Sequence, residues 1–204
     1  MTSRRLPVWL YVAAAVFLVI VGVLVTSSFL RPDVAMYAPT SFVERPAGGR
    51  LVRDTVTLDA RHPSDWQFFD FDRQTTVAAT DGDWDLAARR FHIVVNGGDS
   101  FGGAGGALAL ARPWETVDEA PGGGYEGTRG ELWKEPTNPV IARWYEYSFL
   151  AHTLEPLPFT YVIRTADGRY AKIRILSYYC PQAMTGCLTF EYAYQGDGSR
   201  RLTP

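Results

Sequence analysis

The sequence predicts an all-β domain, an antiparallel sheet or sandwich, preceded by a single transmembrane α-helix. Val8–Val25 is a run of 18 residues without a charge, which is typical of a membrane-spanning helix. The rest of the chain consists of short runs of strand-forming residues separated by Gly, Pro, Asn and Asp, which indicates antiparallel strands. No long 3.6-residue period follows the apolar run, so helices are not expected in the second part.

The apolar segment is predicted to anchor the chain over residues 6–30. At about 1.5 Å per residue, about 20–25 helical residues cross a hydrocarbon core of about 30 Å. Arg4 and Arg5 precede the run, so the positive-inside rule places residues 1–5 in the cytoplasm of a bacterial inner membrane and the following domain in the periplasm. A cleaved signal peptide is the alternative, although its apolar region is normally only about 7–15 residues long. The residues expected to contact the lipid bilayer are Trp9, Tyr11, Phe17 and Leu24.

Residues 31–50 are predicted to form an extended stalk, because this segment contains three prolines and a Gly pair. The β domain is expected to occupy residues 51–204. Its clearest hairpin lies within Phe159–Cys180, where Ala166–Gly168 supplies a tight turn and strand formers flank it on both sides.

The charge of the domain excludes one class of partner. The chain has 20 basic and 22 acidic residues, and two of the basic ones, Arg4 and Arg5, precede the apolar run. The remainder therefore carries 18 basic and 22 acidic groups, so it lacks the cationic surface that binds a phosphate backbone. Nucleic acid is not an expected partner.

Cys180 and Cys187 flank six residues that are expected to form a second turn. An exported domain with two cysteines favours a disulfide between them. Two thiols without a nearby His are too few ligands for a metal ion. The sequence therefore predicts a disulfide-closed loop.

Two conspicuous motifs are interpreted as structural. Asn96–Ala107 is rich in Gly but lacks the Lys-Ser/Thr ending of a phosphate-binding loop, so it is predicted to be a bend where backbones pass close together. Asp81–Asp85 begins like a calcium loop, but Leu86 stands where Gly is required and His92 where Glu is required. It is therefore predicted to be a turn in which Asp85 caps the residues that follow it.

No catalytic constellation is found in the sequence. Ser100 follows Gly and Asp in a pattern that some hydrolases share, yet no His is placed to act as its base. The protein is predicted not to be an enzyme.

The irregular segment from Arg112 to Pro139 has two interpretations. A long irregular stretch in a compact domain is either a functional loop that contacts a partner or a poorly ordered loop with a few anchoring aromatic residues. The aromatic residues proposed as partner contacts are Trp114, Tyr125 and Trp133.

Four stretches resemble, in the same order, the HmuY family of haem-binding proteins: DWDLAARRFHIVVNGG, SFGGAGGA, YVIRTADGRYAKIRILSYY and LTFEYAYQGDGSR. The resemblance covers roughly Leu51–Arg201. It implies an all-β domain whose hairpins project like fingers and can grip haem. It also implies a pair of His or Met axial ligands, here His152 with either Met184 or His92. Family members usually carry a lipid anchor, and here the apolar helix takes its place.

Two functions follow from these observations. The main prediction is a non-catalytic subunit without a cofactor that braces or bridges other inner-membrane protein subunits, for example in a photosynthetic reaction-centre or light-harvesting assembly. The alternative is a protein that binds haem or a related tetrapyrrole through the His and Met residues named above.

Overall fold

The computed structural model describes residues 7–29, 33–130, 135–149 and 151–204; for residues 27–29 it describes the backbone. The chain forms two compact units, Met1–Asp33 with Tyr147–Leu154, and Val34–Glu146 with Glu155–Pro204. The first unit contains helix α1, Val8–Phe29. Within it, Val8–Thr26 is long and apolar enough to cross a membrane, a test that a signal sequence also passes. The predicted lipid contacts, Trp9, Tyr11, Phe17 and Leu24, all lie exposed on this helix.

The described part of the chain after α1 contains eleven strands. In chain order they are β1 (Leu51–Asp59), β2 (Gln67–Asp70), β3 (Thr75–Val77), β4 (Leu86–Arg89), β5 (His92–Val95), β6 (Gly106–Leu110), β7 (Tyr145–Ser148), β8 (Thr153–Pro156), β9 (Thr160–Arg164), β10 (Tyr170–Tyr179) and β11 (Thr185–Gln195). Single 3₁₀ turns occur between some of them.

These strands form three sheets. The largest has five strands in the order β1-β11-β10-β9-β6, the second has four in the order β3-β2-β4-β5, and β7 pairs with β8 alone. Every pairing within the two larger sheets is antiparallel. The predicted all-β antiparallel domain behind one apolar helix is confirmed.

The β9–β10 hairpin lies at the centre of the large sheet. Gly168 takes a φ of +87° in the predicted turn, a conformation that costs a residue without a Cβ little. The strands pair from Tyr170 opposite Arg164 to Ile173 opposite Tyr161. Strand β10 also pairs with β11, so most of its side chains are buried. The hairpin predicted from the sequence is thus a central element of the domain.

An aromatic cluster joins the two larger sheets. Phe190, Tyr192 and Tyr194 occupy alternate positions of β11 and therefore point to one face. Phe69 of β2 packs edge-on to Phe190 at 5.8 Å between ring centroids. Phe71, just beyond β2, lies 5.3 Å from Tyr192 and stacks on Tyr194 at 6.0 Å. All five side chains are buried, so this cluster is the main core of the domain.

Tertiary burial overrides local preference in one segment. The first residues of Trp84–Asn96 tolerate a helix, yet the segment folds as the β4–β5 hairpin. Leu86, Ala87 and Ala88 are all buried there, because β4 lies between two neighbouring strands with both faces covered. The backbone turns at Arg90, which adopts a φ of +50°.

The Gly-rich segment is a close passage of backbones, as predicted. A Cβ added at Gly103 or Gly105 would lie 2.4 or 2.3 Å from the Asn96 carbonyl oxygen, so a side chain at either position would clash. The Asn96 amide nitrogen donates to the carbonyls of Gly82 and Trp84, each at 2.8 Å. Its side-chain oxygen accepts from the Gly103 N–H at 3.2 Å. Asn96 thereby fixes the glycines against the end of β5.

Asp85 fixes the ends of two hairpins. Its Oδ2 accepts the Phe71 N–H at 2.9 Å, and its Oδ1 accepts the Ala166 N–H at 2.8 Å. Burial raises the pKa of this carboxyl well above its usual value, and the two backbone hydrogen bonds partly oppose that shift. The prediction that Asp85 caps the residues that follow it was wrong in its target, because the carboxylate caps backbone N–H groups 14 and 81 residues away along the chain.

The described part of the predicted stalk, from residue 34 onward, is bound to the β domain. The Tyr37 N–H donates to the Tyr179 carbonyl at 2.9 Å, and the Ala47 N–H donates to the Asp72 carbonyl at 2.7 Å. Ala47 is completely buried. The segment thus contributes to the domain, while the predicted limits of anchor, stalk and domain stay predictions.

The predicted disulfide is confirmed. Cys180 and Cys187 are bonded, with their Cα atoms 4.9 Å apart, and both are buried. The Cys180 N–H donates to the Met184 carbonyl at 2.7 Å. Gln182 and Ala183 both have positive φ angles in the loop between them. The disulfide closes the connection between β10 and β11.

Replacing Asp85 with Ala should lower the free energy of unfolding by about 2 kcal/mol or more. The change leaves two buried N–H groups without an acceptor, and each costs about 1–3 kcal/mol. Urea denaturation of the detergent-solubilised chain measures the effect. Asp83→Ala is the matched control, because this exposed carboxylate only pairs with Arg73 and should cost less than about 1 kcal/mol. Equal urea midpoints for the two variants would contradict the role of Asp85.

Removing the disulfide with Cys180→Ala and Cys187→Ala should lower stability by roughly 2–3 kcal/mol, because an eight-residue loop is no longer closed in the unfolded chain. The same denaturation with and without a reducing agent provides the control. Reductant should lower the urea midpoint of the wild type towards that of the double variant and leave the variant unchanged. A wild-type midpoint that does not respond to reduction would show that the bond adds no stability.

Candidate functional site

The tip of the β7–β8 hairpin presents two large rings to solvent. Tyr147 is 40% exposed and Phe149 is 78% exposed, although both side chains are largely apolar. Their ring centroids are 5.0 Å apart in an edge-to-face arrangement. An exposed aromatic pair at a hairpin turn is typical of a ligand- or partner-binding surface rather than of a core.

His152 belongs to the same tip, and its side chain is hydrogen-bonded to that of Tyr147. The Tyr147 hydroxyl lies 2.8 Å from His152 Nδ1. When Nδ1 carries the proton, it donates to the phenol oxygen and leaves the Nε2 lone pair available. Metal-binding histidines commonly use their other ring nitrogen in this way. His152 has a φ of +54°, which is uncommon for a residue with a Cβ and fits a tight turn.

His152 was predicted from the sequence as a site residue, whereas Tyr147 and Phe149 were not. The signal was present in Tyr145, Tyr147 and Phe149, three aromatic residues at alternate positions that end three residues before the His. Alternation places them on one side of β7 and its extension. Because the aromatic residues of a buried strand face alternate in the same way as those of an exposed face, the pattern did not reveal that two of the rings are exposed.

His92 lies in β5, opposite Arg89. It is half-buried, and its ring centroid is 4.3 Å from that of Phe91. Burial lowers the pKa of His92, with Glu135 opposing the shift and Arg89 adding to it. The imidazole is therefore neutral near pH 7, which is the form that binds a metal.

Met184 lies within the disulfide-closed loop and is 47% exposed. The preceding residue, Ala183, donates its N–H to the Met36 sulfur at 3.1 Å. A thioether is a soft, adaptable ligand, so Met184 fits the ligand type predicted for it. His152 belongs to one unit of the chain, whereas His92 and Met184 belong to the other. The predicted pairing of His152 with either of them stays a prediction.

Two of the proposed partner-contact residues pack on the domain itself. The Lys172 ammonium lies over the Trp114 ring, 4.5 Å from the ring centroid, in a cation–π contact. Lys172 is buried and donates to the carbonyls of Trp114 and Val117, at 3.0 and 2.7 Å. Tyr125 is half-buried and donates its hydroxyl to the Pro121 carbonyl at 2.8 Å. The described parts of this segment are thus fixed, and partner binding there stays untested.

Trp133, the third of those residues, lies outside the described residues. Across the described ranges, no group of three or more His, Cys, Asp or Glu side chains is arranged to hold a metal ion. The candidate functional surface is therefore the aromatic tip with His152, together with the separate positions of His92 and Met184.

Solved structures with a similar fold include proteins from three bacteria. An apo HmuY analogue from Tannerella forsythia is 18% identical, with a TM-score of 0.60 over 72% of this chain and 97% of that one. A lipoprotein from Bacteroides fragilis is 19% identical, with a TM-score of 0.58 over 76% and 96%. A protein from Bacteroides vulgatus described as HmuY-like and haem-binding is 21% identical, with a TM-score of 0.56 over 76% and 97%. At these identities the likeness concerns the fold.

The sequence itself identifies the family. No protein with a curated description matches the chain. The family model of the HmuY protein, however, matches residues 62–192. This range contains strands β2 to β10 and most of β11, including the β9–β10 hairpin and the disulfide. Since the match covers well over half of the sequence, the chain belongs to the HmuY family.

Proposed function

We propose that the protein binds haem or a related tetrapyrrole without catalysing a reaction, and that α1 tethers it to a membrane. Membership of the HmuY family carries this proposal. A structural neighbour from Bacteroides vulgatus is described as a haem-binding protein of this type. The main prediction was a subunit that braces other inner-membrane proteins, for example in a photosynthetic assembly. These comparisons give it no support, and the alternative prediction of haem or tetrapyrrole binding fits them better.

The chemistry of the β7–β8 tip supports the proposal. A haem needs apolar contact for its macrocycle and a His, Met, Cys or Tyr for its iron. Phe149 and Tyr147 offer exposed aromatic surface, and His152 offers an imidazole next to them. The Tyr147 hydroxyl is hydrogen-bonded to Nδ1 of that imidazole, so Nε2 is the nitrogen that can bind a metal.

Each residue then has a distinct part in binding. His152 supplies the ligand, Tyr147 orients it, and Phe149 contributes apolar contact. Haem, when bound, would supply an iron that takes ligands from the protein and a strong visible absorption. His92 or Met184 would supply a second ligand to that iron. The neutral imidazole of His92 and the exposed thioether of Met184 each suit that role chemically.

Titration of haemin into the detergent-solubilised full-length chain should produce a saturable Soret band. His152→Ala should weaken binding at least tenfold and shift the band, because an iron ligand is lost. His62→Ala is the matched control. This exposed imidazole is bonded to Ser64 and Asp65 in a turn, and its removal should leave the titration unchanged.

Three results would decide against the assignment or refine it. A chain that gives no saturable band lacks haem binding. Equal behaviour of the His152 and His62 variants removes His152 as a ligand. His92→Ala and Met184→Ala, tested in the same titration, identify the second ligand as the residue whose loss both weakens binding and shifts the band.

Tyr147→Phe should weaken haemin binding by roughly tenfold to a hundredfold, as is usual when the hydrogen-bond partner of a metal-binding His is removed. The ring and its contact with Phe149 remain. Tyr145→Phe changes the same group on the same strand and serves as the control. If Tyr147→Phe binds haemin like the wild type, the hydroxyl does not orient His152 for binding.

A further inference from the structure

We propose that the disulfide-closed loop Cys180–Cys187, together with Met36 and Tyr37, is a lipid-contacting surface that lies on the bilayer in which α1 is anchored. This surface is called the loop patch below. The inference rests on the membrane tether in the proposed function, but it does not depend on haem binding. Of the two candidates for the second iron ligand, it is compatible with His92, because a Met184 side chain in contact with lipid is not available to the iron.

The loop patch is uncharged, and it exposes Met36, Tyr37 and the turn from Pro181 to Thr185. Met36 and Met184 are each 47% exposed, and Tyr37 is 37% exposed. No residue from Cys180 to Cys187 carries a charge. Thioether side chains adapt to irregular apolar surroundings, and Tyr is enriched where apolar and polar layers of a membrane meet. This composition suits the boundary between lipid headgroups and acyl chains.

A cation without an acidic partner borders the loop patch. Arg90 donates to the Arg61 carbonyl and to the Thr185 hydroxyl, both at 3.2 Å. In the ranges that the structure describes, no carboxylate pairs with Arg90. The neighbouring Arg61, in contrast, forms a bidentate ion pair with Asp59, with N···O distances of 2.7 and 2.6 Å. Arg90 is therefore available to a lipid phosphate, which accepts guanidinium hydrogen bonds well.

The length of the connecting chain keeps the loop patch near the membrane. Helix α1 ends at Phe29, and the Ala35 carbonyl already accepts the Ser177 hydroxyl of β10. Five residues lie between Phe29 and Ala35. At about 3.3–3.6 Å per residue, this connection reaches roughly 20 Å at most. A lipid headgroup layer occupies about 5–7 Å of that distance on each side of the hydrocarbon core.

The loop patch is also pre-ordered. The Ala183 N–H donates to the Met36 sulfur at 3.1 Å, and the Tyr37 N–H donates to the Tyr179 carbonyl at 2.9 Å. The disulfide fixes both ends of the loop. Little conformational freedom is therefore left to lose on contact with lipid, which favours binding by a small surface.

Photo-crosslinking in nanodiscs tests the proposal. The full-length chain, reconstituted in phosphatidylcholine with phosphatidylglycerol, receives p-benzoylphenylalanine in place of Met184, Val43 or Leu18. Val43 is 68% exposed on the β domain and is the matched control, and Leu18 lies in α1. Mass spectrometry counts lipid adducts. We expect adducts from positions 184 and 18, at least tenfold more abundant than those from position 43.

Each other outcome overturns the proposal. Adducts from position 18 without adducts from 184, or equal adducts from 184 and 43, mean that the loop patch does not face lipid. No adducts from position 18 mean that α1 does not lie in the bilayer, which removes the tether as well. The adducts are measured without haem, so failure of haem binding is detected separately, in the Soret titration.

Lipid charge tests the part of Arg90. Omitting phosphatidylglycerol should lower the adduct yield at position 184 by at least twofold, and Arg90→Gln should remove that dependence. A yield at position 184 that responds to neither change overturns the assignment of Arg90 to the loop patch.

Discussion

The packing of Phe69 and Phe71 against Phe190, Tyr192 and Tyr194 is the interaction on which the rest of the structure depends. Aromatic side chains bury more area than other residues and pack edge-to-face or offset, so five of them give a large and directional contact between two sheets. Strand β11 contributes three of the rings from one face. The same strand is hydrogen-bonded to β1 and β10, so it aligns the large sheet as well.

This core leaves the hairpin ends free to carry function. Two of the proposed haem ligands lie at turns: His152 between β7 and β8, and Met184 between β10 and β11. Their backbones are fixed by local means, namely the bond from Tyr147 to His152 and the disulfide next to Met184. A rigid scaffold with short, locally fixed turns can vary its ligand chemistry with little effect on the core.

The sequence predicted the elements whose local signals agree with their burial. The β9–β10 hairpin has a turn formed by Ala166–Gly168 between strand formers, and the disulfide follows from the compartment and the spacing of Cys180 and Cys187. Strand β4 was ambiguous, because Ala and Leu favour a helix and only the neighbouring strands decide otherwise. The exposed rings of Tyr147 and Phe149 could not be identified, since alternation specifies a face but not whether another sheet covers it. The contact of residues 34–50 with the domain was equally invisible, because much of it uses backbone groups that every sequence has.

The enclosed amine of Lys172 has a practical consequence. The chain contains only two lysines, Lys134 and Lys172, among its 20 basic residues. Lys172 is 1% exposed and its ammonium is held by two carbonyls and an indole ring, while burial lowers its pKa. An acylating reagent therefore cannot reach this nitrogen until the segment carrying Trp114 and Val117 separates from β10. The rate at which Lys172 is acylated reports how often that separation occurs in the otherwise native protein.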